Sequence, residues 1–446
     1  MERLTVLILF FAGLVCFSSY AQFDNYSLDQ YVNPDYKRQS LEFMFNTAGN
    51  FSSSKQKWDD GVDNKNKSSF WSGDLSLMYK KEQNSLSKQS ERFLSLSFDG
   101  NLLTDKYDDI ILTKNNKLKI SISLADNSRY YFTNKNFIEF SPSISGNIDN
   151  RREKENGEQE FDNKTYNMIT SFRLGYGKGR IEHVEDARLA VYLLEDLASK
   201  GVPVNNITHD VIDQLAECMT LVKHKRHFDT RLKLIDEIAT VDSFLLANDI
   251  IDKQNNSRYF TTLYDNWLYA GLITRLSGSR FSVGLSPAFA WSRWEYKDDK
   301  IYNSSLKGGA YVNYTYEKPV NLYWQHSAFV EAEEVVGRNR GIDETFWSTS
   351  LRGSLGLGYY PNSRTYMTLT LREDFNFLND DSYNQTFSNT NLGFSMYYYL
   401  SPQLRISANA GINYYYFKFS EDDKSWESTI NNPKLNFAAS LTYSIF

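Results

Sequence analysis

The chain has 446 residues, a formal charge of -6, and a high aromatic share of 15%, with 31 Tyr and 30 Phe. A pI of about 5.6 offers no electrostatic footprint for nucleic acid, and the mean hydropathy is -0.52. Past the N-terminus no run approaches the ~20 apolar residues of a membrane helix, and with only Cys16 and Cys218 neither a disulfide framework nor a Cys-rich metal site is available.

Residues 1–21, MERLTVLILFFAGLVCFSSYA, read as a secretory signal. Leu4 to Phe17 is its apolar core, and Ser19-Tyr20-Ala21 gives a small-x-small cleavage pattern that leaves Gln22 first. Bulky Val15 before Cys16 argues against lipid attachment. Residues 22–39 are expected to form a periplasmic N-terminal segment.

From residue 40 the sequence alternates with period two, which in a strand sends the two sets to opposite faces. Leu94, Leu96 and Phe98 oppose Ser95, Ser97 and Asp99; Leu118, Ile120, Ile122 and Leu124 oppose Lys119, Ser121 and Ser123. Six such segments start near 40, 69, 90, 117, 137 and 164, and form the first part of the sheet, residues 40–180. Eight more, in 279–446, start near 280, 304, 320, 345, 363, 389, 402 and 434. The last, KLNFAASLTYSIF, sets Leu435, Phe437, Ala439, Leu441, Tyr443 and Ile445 against Asn436, Ala438, Ser440, Thr442 and Ser444. Short connections such as Thr133–Asn136 and Pro361–Ser363 alternate with long polar ones, 54–68, 104–116, 151–163, 334–344, 377–388 and 418–433. The pattern predicts an all-β transmembrane β-barrel of about 14 antiparallel strands (14 to 16 fit), with short periplasmic turns and longer outer loops.

Residues 181–278 break the alternation and predict an inserted α-helical module. Val184, Ala187, Val191, Leu194 and Leu197 share one helical face, which Gly201 and Pro203 end. Thr208 caps a second helix carrying Val211, Ile212, Leu215, Met219 and Val222. A third runs roughly from 229 to 248, with Leu232, Ile235, Ala239 and Leu245 or Leu246 inward. Residues 256–276 fit a strand or a helix with Phe260, Leu263, Tyr264, Trp267 and Leu268 in one stripe. Helix is the expectation, because an even strand count returns the chain to the periplasm. Residues 181–277 hold 15 acidic and 10 basic residues, a charge of -5 that leaves the rest nearly neutral.

Motifs with chemical potential are weak. Gly175-x-Gly177-x-Gly179 lacks the spacing and βαβ frame of a phosphate loop. His224 and His227 are surrounded by Lys223, Lys225 and Arg226, which disfavour a bound cation; His183 and His209 have no evident partner. His326 and Ser327 are adjacent, so they leave opposite faces of a strand and cannot form a catalytic pair. No catalytic residue, metal or cofactor is expected, and the protein is not expected to be an enzyme. The inward parity collects Lys119, Glu139, Arg173, Arg352, Arg372, Asp374 and Arg405 as candidate lumen-lining residues. These either set solute preference or brace the wall through ion pairs.

The SYAQ signal end, the aromatic strands, the terminal Phe446 and the passage GYGKGRIEHVEDARLAVYLLEDL resemble outer-membrane β-barrel proteins of Bacteroidota. The resemblance implies an outer-membrane compartment and a barrel, but no activity. Tyr443 and Phe446 are the candidate membrane-insertion signal, with the aromatic Tyr443 one place from its usual position. The expected partners are outer-membrane lipid, the barrel-assembly machinery and a periplasmic protein meeting residues 181–278. A channel or transport barrel is the first functional reading. An envelope-assembly scaffold docking that partner is the second, and a surface receptor or adhesin the third.

Overall fold

The computed structural model describes residues 26–57, 63–107, 110–155, 158–224, 234–252, 257–269, 273–296, 299–341, 344–380, 383–401, 404–421 and 427–443. The signal segment, His227 and Phe446 lie outside the described residues. One antiparallel, barrel-like sheet dominates. Its first six strands are β1 (Tyr36–Lys57), β2 (Asp63–Ser85), β3 (Lys88–Tyr107), β4 (Ile110–Tyr131), β5 (Asn136–Glu155) and β6 (Glu158–His183). After the helices come β7 (Leu276–Leu285), β8 (Ala288–Tyr296), β9 (Asp299–Pro319), β10 (Trp324–Asn339), β11 (Glu344–Tyr359), β12 (Thr365–Asp380), β13 (Tyr383–Tyr399), β14 (Leu404–Glu421) and β15 (Glu427–Tyr443).

β7 and β8 lie end to end between β6 and β9, interrupted at Ser286-Pro287, where proline lacks a ladder donor. Fifteen strands therefore occupy fourteen lanes, six before the helices and eight after. The ladder starts at β1 and ends at β15, each of which has one strand partner among the described residues. The expected long loops are largely strand: Ser54 opposes Asn66, Thr104 opposes Lys114, and Arg151 opposes Asn163. There Ser, Asn, Lys and Thr occupy both faces. A ladder whose two sides both meet water loses its alternation while keeping its hydrogen bonds.

Arg173 of β6 bonds Glu331 of β10, three lanes away, with Nη1 to Oε2 at 2.8 Å. Three lanes are about 14 Å along a flat sheet, so these side chains meet only because the sheet curls round them, and theirs is the inner face. The opposite parity carries exposed apolar groups, among them Ile122, Ile144, Val283, Leu355, Leu435 and Phe437 (87% exposed).

Among the described residues four helices, α1 (Glu185–Ser199), α2 (His209–His224), α3 (Leu234–Ala247) and α4 (Ser257–Leu268), sit at the short-turn end. Gly201 at φ +75° ends α1 in a Schellman turn: its N–H donates to Ala198 O and that of Val202 to Leu197 O, both at 3.0 Å. Thr208 Oγ1 accepts from the Val211 N–H at 3.3 Å and caps α2. The module core joins Val184, Leu194, Leu197, Leu215, Met219, Leu245 and Leu263 to Tyr26, Leu28 and Tyr31 from the N-terminal segment. The ladder reaches further than the sequence pattern suggests, pairing Arg180 to His183 with Leu276 to Ser279. Gly179 (φ +105°) and Gly278 (φ +121°) turn this ribbon out of the wall; a Cβ on either would overlap the partner strand's carbonyl.

Two helical stripes are rotated from expectation. In α3, Ile238, Val241 and Leu245 are buried, whereas Ile235 is 82% exposed and Ala239 is exposed. Apolar residues cover much of this helix, so periodicity left two faces open. The choice is made by polar partners: Glu237 accepts from Trp267 Nε1 at 2.9 Å, and Asp242 accepts from the Tyr259 hydroxyl at 2.5 Å. In α4 the same contacts bury Tyr259, Leu263 and Trp267 and leave Phe260 and Tyr264 exposed.

Candidate functional site

The inner wall has a braced half and a wet half. On the braced side, Arg173 Nη2 reaches Glu331 Oε1 at 3.1 Å, and Arg352 Nη1 reaches the same oxygen at 3.1 Å. Arg173 lies 4.7 Å from the centroid of the Tyr311 ring, and Ser286 Oγ donates to Glu333 Oε1 at 2.6 Å. Gly175 and Gly309 make room: a Cβ on the first would meet the Tyr311 hydroxyl, and one on the second the Ser286 hydroxyl. Glu139 is buried with Arg129 at 3.5 Å. The carboxylates of Glu331 and Glu139 are largely withdrawn from water and each faces a guanidinium, while Arg173 and Arg352 keep part of their surface exposed.

The wet half holds the other candidates. Lys119 stands in register between Asp99 and Asp149. Arg372 pairs with Asp374 two residues on in its own strand, Nε to Oδ2 at 2.7 Å, and remains 59% exposed. Arg405 lies over the Tyr397 ring at 5.2 Å. Of the seven candidates, Glu139, Arg173 and Arg352 thus join the brace, while Lys119, Arg372, Asp374 and Arg405 stand apart from it on the same face. Glu331, the centre of the brace, was legible from its parity with Gln325 and Ser327.

The helical module is fastened across the short-turn mouth at separate points. Arg275, with no exposed surface, donates through Nε to Gln325 Oε1 at 2.9 Å, and through its two Nη groups to the carbonyls of Asn321, Leu322 and Trp324. It also lies over the Tyr360 ring at 4.6 Å. Burial and the like charge of Arg188 push this guanidinium below its ordinary value. Arg364 in the β11–β12 turn clasps Asp265 of α4 with both carboxylate oxygens. The Tyr192 hydroxyl donates to Tyr360 O at 2.7 Å. Across the mouth, His224 stacks on Tyr36 of β1 at 3.8 Å. Burial, then the charges of Lys223 and Arg38, push this imidazole down to about 4. Arg180 holds the β2–β3 turn through Ser85 O at 3.0 Å and Asn84 Oδ1 at 2.9 Å. Arg275 and Arg364 lie at the ends of segments 256–276 and 363 onward, where periodicity marks no partner.

The weak motifs resolve simply. The Gly175-x-Gly177-x-Gly179 series lies within β6, where a Cβ on Gly177 would strike the Phe137 ring. His326 is exposed on the outer face and Ser327 lies on the inner one. Tyr443 ends β15 opposite Leu404.

No family model matches this sequence, and no curated protein does. Among solved structures, the translocator domain of autotransporter NalP from Neisseria meningitidis aligns at TM-score 0.30 and 9% identity, covering 79% of this chain and 88% of that one. The beta domain of the Bordetella autotransporter BrkA aligns at 0.21 and 8%, covering 92% and 100%. OccAB4 of Acinetobacter baumannii aligns at 0.20 and 8%, covering 93% and 99%. At scores this low nothing about this chain is drawn from them, and the barrel-like fold rests on its own ladder.

Proposed function

We propose that the protein is an outer-membrane barrel that passes polar solutes, with the helical module as a gate across its periplasmic mouth. The supporting observation is the fastening itself: buried Arg275 and the Arg364–Asp265 clasp tie the module to turns on one side, and the His224–Tyr36 stack ties it to the other. The apolar outer face suits hydrocarbon, the wet inner half offers a path, and short turns mark the periplasmic end. In planar bilayers the intact protein should be mostly closed, and Asp265→Asn should raise its open probability. Full conductance in the intact protein, unchanged by Asp265→Asn, would count against a gate.

A scaffold reading draws on the module's free side. Phe260 (56% exposed) and Tyr264 stack there with ring centroids 6.4 Å apart. Retention of a periplasmic protein that is lost in Phe260→Ser, with no conductance in any variant, would favour docking over transport.

A further inference from the structure

Toward the long-hairpin end, the inner wall of β5, β6, β8, β9 and β10 carries two adjacent transverse rows without a charge. In the first, Asn147 opposes Asn167, Asn167 opposes Ser292, and Ser292 opposes Asn303. In the second, Ser145, Ile169, Ala290, Ser305 and Asn339 follow one another across the same strands. The rows line a cavity of about 560 Å³, within the ~300–1,000 Å³ span of small-molecule sites.

The hollow has a structural cause. In the next row, toward the brace, are Ser143, Ser171, Ala288 and Gly337, small groups with the two hydroxyls 2.6 Å apart. That row's cation, Lys307, is drawn aside over the Phe346 ring at 5.2 Å. One row further, the Arg173–Glu331 brace closes the floor. The cavity is therefore a recess with a fixed base.

We propose that this recess binds an uncharged, polyhydroxylated solute, that is, a saccharide. Each carboxamide offers two donors and an acceptor, and a sugar hydroxyl both gives and accepts. No side-chain hydrogen bond among the described residues occupies Asn147, Asn167, Asn303 or Asn339. Ile169, 52% exposed on this inner face, presents an apolar surface to the C–H face of a sugar ring. An ionised solute would lose hydration and meet no charge in the two rows themselves, the nearest being Asp149 and Lys307 in the rows on either side. The inference deepens the transport reading by naming a solute class, but it is tested by binding alone, so the two can fail separately.

The experiment is ligand-observed saturation-transfer NMR on the full chain in lauryldimethylamine oxide, a detergent without a sugar headgroup. The probes are maltotriose, cellotriose and mannotriose, with trigalacturonate and trilysine as charged counterparts. A neutral trisaccharide should bind while both charged probes do not. Asn167→Leu with Asn303→Leu should weaken it at least about tenfold through two lost hydrogen bonds. Unchanged heat-dependent gel mobility would show that the variant is folded, and Ile169→Asp supplies an independent second variant. Equal binding of charged probes, no binding of any neutral trisaccharide, or full binding by both folded variants would overturn the proposal.

Discussion

A closed sheet requires the two ends of the ladder, β1 and β15, to pair with each other. β15 has 17 residues and β1 has 22, and each presents one edge without a strand partner among the described residues. In hydrocarbon each unmet backbone group costs ~1–3 kcal/mol or more, so the ~17 such groups along β15 would cost tens of kcal/mol. With fourteen lanes, β1 and β15 run antiparallel and can satisfy each other. The offset follows from the ladder. A transverse row leaving β1 at Lys37 passes Gln83, Ser90, Ser128, Phe140, Leu174, Leu285, Ala310, Glu334, Thr349, Phe377, Thr386 and Lys418 to reach Thr429. Aligning the two edge strands at their midpoints, with inner parity matched to inner, sets Asn436 opposite Asn46 and Thr429 opposite Ser53. Ser53 lies sixteen residues beyond Lys37. A stagger of about 16 over fourteen lanes tilts the strands by about 38°, within the ~35–45° of closed barrels. In a Cys218→Ser background, Asn46→Cys with Asn436→Cys should form a disulfide in membranes and change mobility on non-reducing gels. Directly opposed residues lie ~4.5–5.5 Å apart, inside disulfide range, whereas a slip of two opens ~7–8 Å. Met44→Cys or Ala48→Cys against Asn436→Cys should therefore bridge poorly. Preferential bridging at 44 or 48, or bridging only between molecules, would refute the closure register.

Other outcomes follow from single contacts. Arg275→Met strands one buried and three part-buried acceptors and should cost ~3 kcal/mol of module docking; limited proteolysis of 185–268 should accelerate on the order of 10²-fold, and unchanged cleavage would deny that this residue fastens the cap. His224 has a folded value of about 4 against 6.5 when free, with burial first and then Lys223 and Arg38 pushing down, and Glu82 and Glu185 pulling up. The unfolded module therefore takes the proton first. Stability is full above pH 6.5 and falls toward pH 4, and His224→Phe, which keeps the stack on Tyr36, should flatten a urea-midpoint profile over that window. Glu373 shares the outer parity, opposite Gly353 and Thr390, and accepts from Ser388 Oγ at 2.7 Å. On the proposal that the outer face meets lipid, Glu373→Leu should stabilise the barrel by ~1–2 kcal/mol in bilayers, and a loss would contradict the face assignment.

Where one face meets water and the other is apolar, parity alone located the strands. All fourteen lanes were readable for that reason. Strand length was not, because polar residues on both faces erase alternation while the ladder continues through residues such as Ser54 and Lys114. Helix existence was readable, but the phase of α3 was not, since the partners that chose its buried face, Trp267 and Tyr259, come from another helix. The brace and the fastening depend on groups far apart in sequence, Arg173 with Glu331 and Arg275 with Gln325, and pairing of that kind needs the register between lanes.

Single cysteines along β14 give the most direct test that the two parities meet different solvents. Labelled with an environment-sensitive fluorophore in liposomes, positions 406, 408, 410 and 412 should be quenched by a lipid-bound nitroxide, and 407, 409, 411 and 413 by aqueous iodide alone. Uniform quenching by iodide along the strand, without alternation, would show that this sheet does not stand in a membrane.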